Sequence, residues 1–287
     1  KAMLEFQNQK KIKDIYTISF IKTVQDSFIF SEESIEYNGK IFSLDEGHKE
    51  SFFAMNEAAE THERIVGHLL SKCRTFQFHD TSISSNIRST SLIGNKYLFS
   101  DGGNVASMLY LLKTKEVYRN FYKRILFYIQ TVFPQIEDFI IEPLPLNPDY
   151  VKLNWRQKDR YDYVFGPEHI SDGTIRFIAL ATLLLAPPDI SPNIIVIDEP
   201  ELGLHPHAID ALASMVSLAS RYSQIILATH SERLLDSFDV KNVIVTEQDK
   251  RHHCSIYKCL DVDELKDWLS EYSISQLWEK NIIGGQP

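Results

Sequence analysis

Two adjacent carboxylates, Asp198 and Glu199, close an apolar run, Ile194 to Ile197, within the stretch Asn193-Ile-Ile-Val-Ile-Asp-Glu-Pro-Glu-Leu-Gly-Leu-His-Pro206. A short unbroken apolar run predicts a central strand buried on both faces. Ligands in open α/β sheets sit beyond the carboxyl ends of the strands, so both acids stand where a ligand would be. Side by side, they can divide labour: one holds Mg²⁺ directly or through water, and the other polarises an attacking water. The plainer alternative is a buried strand that ends in a solvated acidic turn.

Two further stretches could join this chemistry. Ser171-Asp172-Gly173-Thr174 precedes an apolar-rich helix expected from about Ile175 to Leu185. Ser171 or Asp172 suits the N-cap, and Gly173 permits a close backbone approach to a ligand. Free N–H groups and the helix dipole then favour an anion. Alone, such a stretch is an ordinary cap. Downstream, Gln224 to Ala228 reads as another apolar strand, ending in Thr229-His230-Ser231. A strand-end His can bond a phosphate or a water, although a lone one more often serves structure.

These groups need a scaffold, and the pattern supplies one. From residue 193 onward, strand and helix alternate: 193–198, 207–221, 224–229, 231–237 and 241–246. Such alternation builds the parallel half of an α/β fold. Asn104 to Phe133 is the longest helical pattern, with a break near Lys113 and a stop at Pro134. Its charged face carries Lys113, Lys115, Arg119, Lys123 and Arg124, either a phosphate or partner surface or a solvated helix face. Short strands are expected near 139–142 and 150–155, and a helix from Phe52 to Cys73. The first 50 residues alternate apolar and polar side chains, and Asn38-Gly39 is a hairpin turn signal, so antiparallel strands are expected there.

In order and spacing, the three motifs resemble the ATP-binding-cassette class of P-loop ATPases: signature motif, Walker B strand with catalytic Glu, and switch histidine. The Glu-Pro-Glu-Leu-Gly-Leu-His-Pro continuation resembles the SMC/RecF/OLD-type branch. Phe78-His79-Asp80-Thr81-Ser82, Ser100-Asp101-Gly102-Gly103-Asn104, and the tail Leu277-Trp278-Glu279-Lys280 to Gly284-Gly285 resemble the bacterial AAA-21-type ATPases. The resemblance implies an α/β ATPase head. An antiparallel β-lobe would occupy 1–50, a helical insert lobe 51–170, and the signature, Walker B and switch half, with a mainly parallel core sheet, 171–287.

It also implies residue roles. Asp198 holds Mg²⁺ through its water shell, Glu199 acts as general base, and His230 contacts the γ-phosphate. Ser171, Asp172, Gly173 and Thr174 complete the nucleotide site of a second subunit, and Leu204 and His205 lie in the loop meeting it. ATP would then join two copies, and hydrolysis would release them. The head would serve a DNA-related or anti-phage activity, with a separately encoded effector as partner and DNA as a further candidate. The rival function is a nucleotide-gated scaffold with little turnover.

One departure stands out. No Gly-x-x-x-x-Gly-Lys-[Ser/Thr] occurs in the 287 residues, and that loop's N–H groups and Lys cradle the phosphates. The opening Lys1-Ala2-Met3-Leu4-Glu5-Phe6 resembles the end of the helix after the phosphate loop, so a preceding segment is expected; a P-loop-less pseudo-ATPase is the alternative.

Composition narrows the rest. With 44% hydrophobic residues the chain can bury a large core, and a formal charge of −9 argues against coating DNA through net charge. Three cysteines are too few for a disulfide framework, no apolar run is long enough to span a bilayer, and a cytoplasmic setting is expected. His252, His253, Cys254 and Cys259 lack the usual zinc spacing, and Cys254 to Cys259 reads as an edge strand. Asp261 and Glu264 read as a capping box, not a nuclease pair, and the stretch after His230 is too short for an appended Toprim nuclease.

Overall fold

The computed structural model describes residues 2–7, 13–24, 26–37, 39–44, 46–55, 67, 70–160, 162–249 and 254–285. It divides into two compact units, residues 1–73 and 74–287. The fold is α/β, with parallel and antiparallel sheets.

The first unit is an antiparallel meander of β1 (Ala2–Gln7), β2 (Lys13–Lys22), β3 (Phe28–Tyr37) and β4 (Lys40–Ser43), followed by a short helix α1 (Phe52–Met55). Alternation puts Tyr16, Ile35 and Leu44 in its core. Glu33, only 1% exposed, is satisfied there: it accepts from the Tyr16 hydroxyl at 2.6 Å and from the Phe52 N–H at 3.0 Å, at the start of α1. Tyr37 pairs with Lys40, so β3 and β4 meet through two residues; Gly39 takes φ +72°, as a tight hairpin requires. Asn38, most of the helix expected over 52–73, and His252 and His253 lie outside the described residues.

In the second unit, β5 (Cys73–Phe76), β12 and β13 form one three-stranded sheet. β12 (Ile194–Asp198) and β13 (Gln224–Ala228) run parallel, with Asp198 opposite Ala228. Between them in sequence lies the helix α5 (Pro206–Ala219). Two small antiparallel sheets, β6 (Ser91–Leu92) with β8 (Pro143–Leu144) and β9 (Asn147–Val151), and β7 (Ile136–Ile140) with β10 (Asn154–Gln157) and β11 (Val164–Phe165), surround the helical part. The long helical pattern breaks where expected, into α2 (Val105–Thr114) and α3 (Arg119–Val132), two residues short of Pro134. α4 (Asp172–Leu184) is apolar all round, and ten of its residues are buried, which makes it the axis of the core. After β13 come α6 (Glu232–Leu235), the antiparallel pair β14 (Ile244–Asp249) and β15 (Cys254–Cys259), α7 (Val262–Leu269) and α8 (Ile274–Glu279). Asp261 caps α7 by accepting from the N–H groups of Asp263 and Glu264.

One expectation needs correction. β12 is not buried on both faces: Ile195 and Ile197 are 1% exposed, whereas Ile194 and Val196 are half-buried and Ile226, opposite Val196, is 47% exposed. Ile195 and Ile197 share a core with residues of α4 and α5, so one face of the strand carries the packing. The basic face of α2 and α3 agrees with the solvated-face alternative: Lys115, Arg119, Lys123 and Arg124 are exposed, and several of the cations make local contacts. Lys113 binds Asp138 at 2.8 Å, Arg119 pairs with Glu116, and Lys115 and Arg124 lie over the rings of Tyr118 and Phe121.

Candidate functional site

Asp198 and Glu199 leave β12 at the same edge of the sheet where β13 delivers Thr229 and His230. Parallel register is the cause: with Asp198 opposite Ala228, the next residues of each strand emerge together. Glu199 has φ +42°, a left-handed conformation costing a non-glycine residue about 1–2 kcal/mol. Two backbone hydrogen bonds hold it, from Glu199 N–H to the Ala228 carbonyl at 2.8 Å and from Leu202 N–H to the Glu199 carbonyl at 3.1 Å. The turn thus lifts the Glu199 side chain off the strand line. Its carboxylate has no hydrogen-bond partner among the described residues.

Asp198 has company that the sequence did not announce. β5 is its other neighbour in the sheet order, and Gln77, the residue after β5, donates from Nε2 to Asp198 Oδ2 at 3.2 Å. The ring of His79 reaches the Asp198 carbonyl at 3.3 Å. A small pocket lined by Phe78, His79, Arg176, Leu180, Asp198 and Glu199 opens beside them. No local pattern singles out Gln77, because β5 is itself half polar, Cys73-Arg-Thr-Phe76.

The pocket's frame is Arg176. Its guanidinium donates to the carbonyls of Phe78 at 2.9 Å, His79 at 2.8 Å and Leu202 at 3.2 Å, tying α4 to the loop after β5 and to the turn after β12. A lone arginine in the run Ile175-Arg-Phe-Ile-Ala-Leu marks such a role, because a charge on an apolar helix needs partners.

Ser171 is the N-cap of α4, as expected: its Oγ accepts from Thr174 N–H at 3.3 Å and lies 2.6 Å from Thr174 Oγ1. Asp172 pairs with Arg88, a 7% exposed guanidinium that also donates to the carbonyls of Thr81, Ile170 and Pro167. Gly173 closely approaches the Gly203 carbonyl of its own chain, so that a Cβ would fall inside 3.0 Å of that oxygen. The start of α4 and the turn carrying Leu204 and His205 are therefore in direct backbone contact. Leu204 is half-buried against the core, and His205 is the exposed N-cap of α5.

His230 is exposed and its ring stacks on Trp278, with centroids 6.5 Å apart and planes at 24°. Glu201, from the turn after β12, accepts from Thr229 Oγ1 at 2.6 Å and from His230 N–H at 3.3 Å. So the structure brings Asp198, Glu199 and His230 to one sheet edge, and places Ser171 to Thr174 against the 199–205 turn.

The donor set suits a particular metal. Among the described residues, no cluster of three His, Cys, Asp or Glu side chains could cage an ion. Mg²⁺ is commonly held by one or two carboxylates with waters and substrate phosphates, and Asp198 beside Gln77 fits that pattern. Zinc, which needs several close protein ligands, does not. No helix among the described residues is long and apolar enough to cross a membrane.

Comparison with known proteins adds a family. The model described as "AAA domain, putative AbiEii toxin, Type IV TA system" matches residues 18–236. No curated protein matches the chain. Among solved structures, the Smc head domain with an extended coiled coil bound to the C-terminal domain of ScpA, from Pyrococcus furiosus, is 12% identical. That match covers 91% of this chain and 80% of the other, at a TM-score of 0.47. The SmcHead bound to the C-winged helix domain of ScpA is 15% identical over 88% and 76%, also at 0.47. The SMC head domain from Thermotoga maritima is 11% identical over 88% and 75%, at 0.38.

Proposed function

The chain belongs to this AAA-domain family, of ATPase type, and from that premise we propose that it is a Mg²⁺-dependent ATP-hydrolysing head. Two copies would pair around ATP and so control a separately encoded effector. The observation that carries the reading is the meeting of Asp198, Glu199, Gln77 and His230 at one edge of the β5–β12–β13 sheet, with Glu199 held at positive φ.

When bound, Mg²⁺ supplies charge neutralisation for the phosphates. Asp198 would hold the ion through water, and the hydrogen bond from Gln77 orients that carboxylate. Glu199, whose carboxylate has no partner among the described residues, orients a water and takes its proton as the general base. His230 contacts the terminal phosphate from the adjoining strand end. Ser171, Asp172, Gly173 and Thr174 serve the partner copy's nucleotide, because a capped helix N-terminus presents N–H groups to phosphate oxygens. Leu204 and His205 meet that partner. The family description, which includes a putative toxin of a Type IV TA system, is compatible with a defence setting.

Glu199→Gln tests the reading. In the natural full chain it should keep ATP binding, slow hydrolysis by about 10²–10⁴-fold, the usual worth of a general base, and accumulate ATP-bound dimers. Wild-type turnover in this variant removes Glu199 from the mechanism.

A further inference from the structure

The tail motif, Leu277-Trp278 to Gly284-Gly285, has no part in the chemistry above, yet it reaches His230. α8 opens with a reciprocal capping box between Ser273 and Gln276. Ser275 then binds Asp236 through both its N–H, at 2.8 Å, and its Oγ, at 2.6 Å. Asp236 caps the end of α6, the helix that begins two residues after His230, so α8 is fastened to the element that follows the histidine. From there the Trp278 ring lies along the imidazole. The indole is itself fixed: Nε1 donates to the Gly285 carbonyl at 3.3 Å, and Gly285 N–H donates to Glu247 at 3.2 Å. Gly284 and Gly285 have φ +83° and +80°, and a Cβ on Gly285 would fall 2.7 Å from Val245. Only glycine lets the chain turn so tightly against β14 and present that carbonyl.

On its other side His230 is held by the Asp198 turn. Glu201 bonds the backbone at 229 and 230 through Oε1, while its Oε2 is buried with no partner among the described residues. A carboxylate is a costly choice for a buried bracket, and it makes the strand-end backbone answer to any movement of the acidic turn.

We propose that Trp278 is a positioning residue for His230, and that residues 273–285 thereby register the state of the acidic turn at the opposite end of the bracket. The coupling runs from Asp198 and Glu199 through Glu201 to His230, and from its ring to Trp278 and α8. The catalytic part of this inference rests on the function proposed above; the stack and bracket do not.

The test has one arm without nucleotide and one with it. Stacked aromatic pairs carry a stabilisation equivalent to a roughly 2- to 12-fold equilibrium shift. Without nucleotide, His230→Ala should speed amide hydrogen exchange in α8 by about that factor, and Trp278→Leu should do the same at 229–231. Trp278→Phe, which keeps a ring, should not. With ATP and Mg²⁺ in the natural full chain, Trp278→Leu should lower kcat by a roughly 2- to 12-fold factor while KM stays within about twofold, and Trp278→Phe should restore it. Equal behaviour of the Leu and Phe variants in both arms overturns the proposal, since apolar packing alone would then explain Trp278. Loss of the exchange coupling refutes the stack even if ATP is hydrolysed. Coupling without any ATPase activity refutes the proposed function instead. If Trp278→Leu fails to fold, the exchange response of α8 to His230→Ala decides.

Discussion

Adding one methyl group at Gly173 separates the geometry found here from the ordinary behaviour of a helix. Gly173 is the second residue of α4, and in an unobstructed helical position Gly→Ala stabilises by about 0.4–1 kcal/mol. Here the new Cβ would lie inside 3.0 Å of the Gly203 carbonyl oxygen, where ordinary contact begins at 3.4 Å. The obstacle is backbone, so no side-chain rotation relieves it. Arg176, bonded to the Leu202 carbonyl, holds the turn in place, and the start of α4 is anchored through Asp172 to Arg88. Forced displacements of this kind cost about 1–3 kcal/mol, which offsets the helix gain and leaves a net loss of up to about 2.6 kcal/mol. For a domain of about 150–250 residues that lowers Tm by up to about 10 °C. Thermal unfolding followed by circular dichroism reads the shift, and hydrogen exchange over 199–205 should show the turn loosening. A raised Tm refutes the backbone contact, since only a free helical glycine gains stability from the added methyl group.

Two further outcomes follow from named residues. Mixing a Ser171→Arg chain with a Glu199→Gln chain leaves one composite site with Glu199 of the first and Ser171 of the second; ATPase activity should return in the mixture, and no recovery in confirmed heterodimers refutes the trans role of α4's N-terminus. Burial, the bond to Asp138 and that carboxylate's charge push the Tyr122 phenol well above the usual tyrosine range. The folded-state pKa is raised, so its stabilisation is complete below about pH 10 and is lost as pH climbs beyond it, where the unfolded chain ionises first. Tyr122→Phe gives up one hydrogen bond, about 1 kcal/mol at neutral pH, and its deficit in Tm against the natural chain should shrink between about pH 9 and 11. A constant deficit across that range would falsify the assignment.

What the sequence disclosed and what it hid divide by range. Local patterning located the Asp198-Glu199 strand end, the Ser171 cap, the Asp261 cap and the break between α2 and α3, since each depends on residues within a turn or two. The family resemblance drawn from residues 78–82, 100–104 and 277–285 agrees with the family matched over 18–236. Hidden were the partners that only the fold supplies: Gln77 lies 121 residues from the carboxylate it touches, Arg176 reaches back 97 and 98 residues to two carbonyls, and Glu201 crosses 28 to Thr229. The apolar run at 194–197 misled about burial because a strand covered on one face can be as apolar as one covered on both.

The bonds of Arg176 and Glu201 place the acidic turn under control from two sides. Arg176 fixes its far end to α4, whose N-terminus is the element proposed to touch a partner copy's phosphates. Glu201 fixes its middle to the end of β13, and so to His230. A change at the partner's nucleotide that moved the start of α4 would therefore act on Glu199 through Gly203 and Leu202, with no contact between the two nucleotides. In a paired state the two sites would be mechanically joined through each chain's own turn. Cooperative hydrolysis is the consequence, and weakening the joint at Arg176 should uncouple the sites before it stops either one. With Arg176→Lys, which keeps a charge but cannot span three carbonyls at once, the Hill coefficient for ATP should fall toward one. Unchanged cooperativity in a folded Arg176→Lys protein would mean that the sites communicate by some route other than this turn.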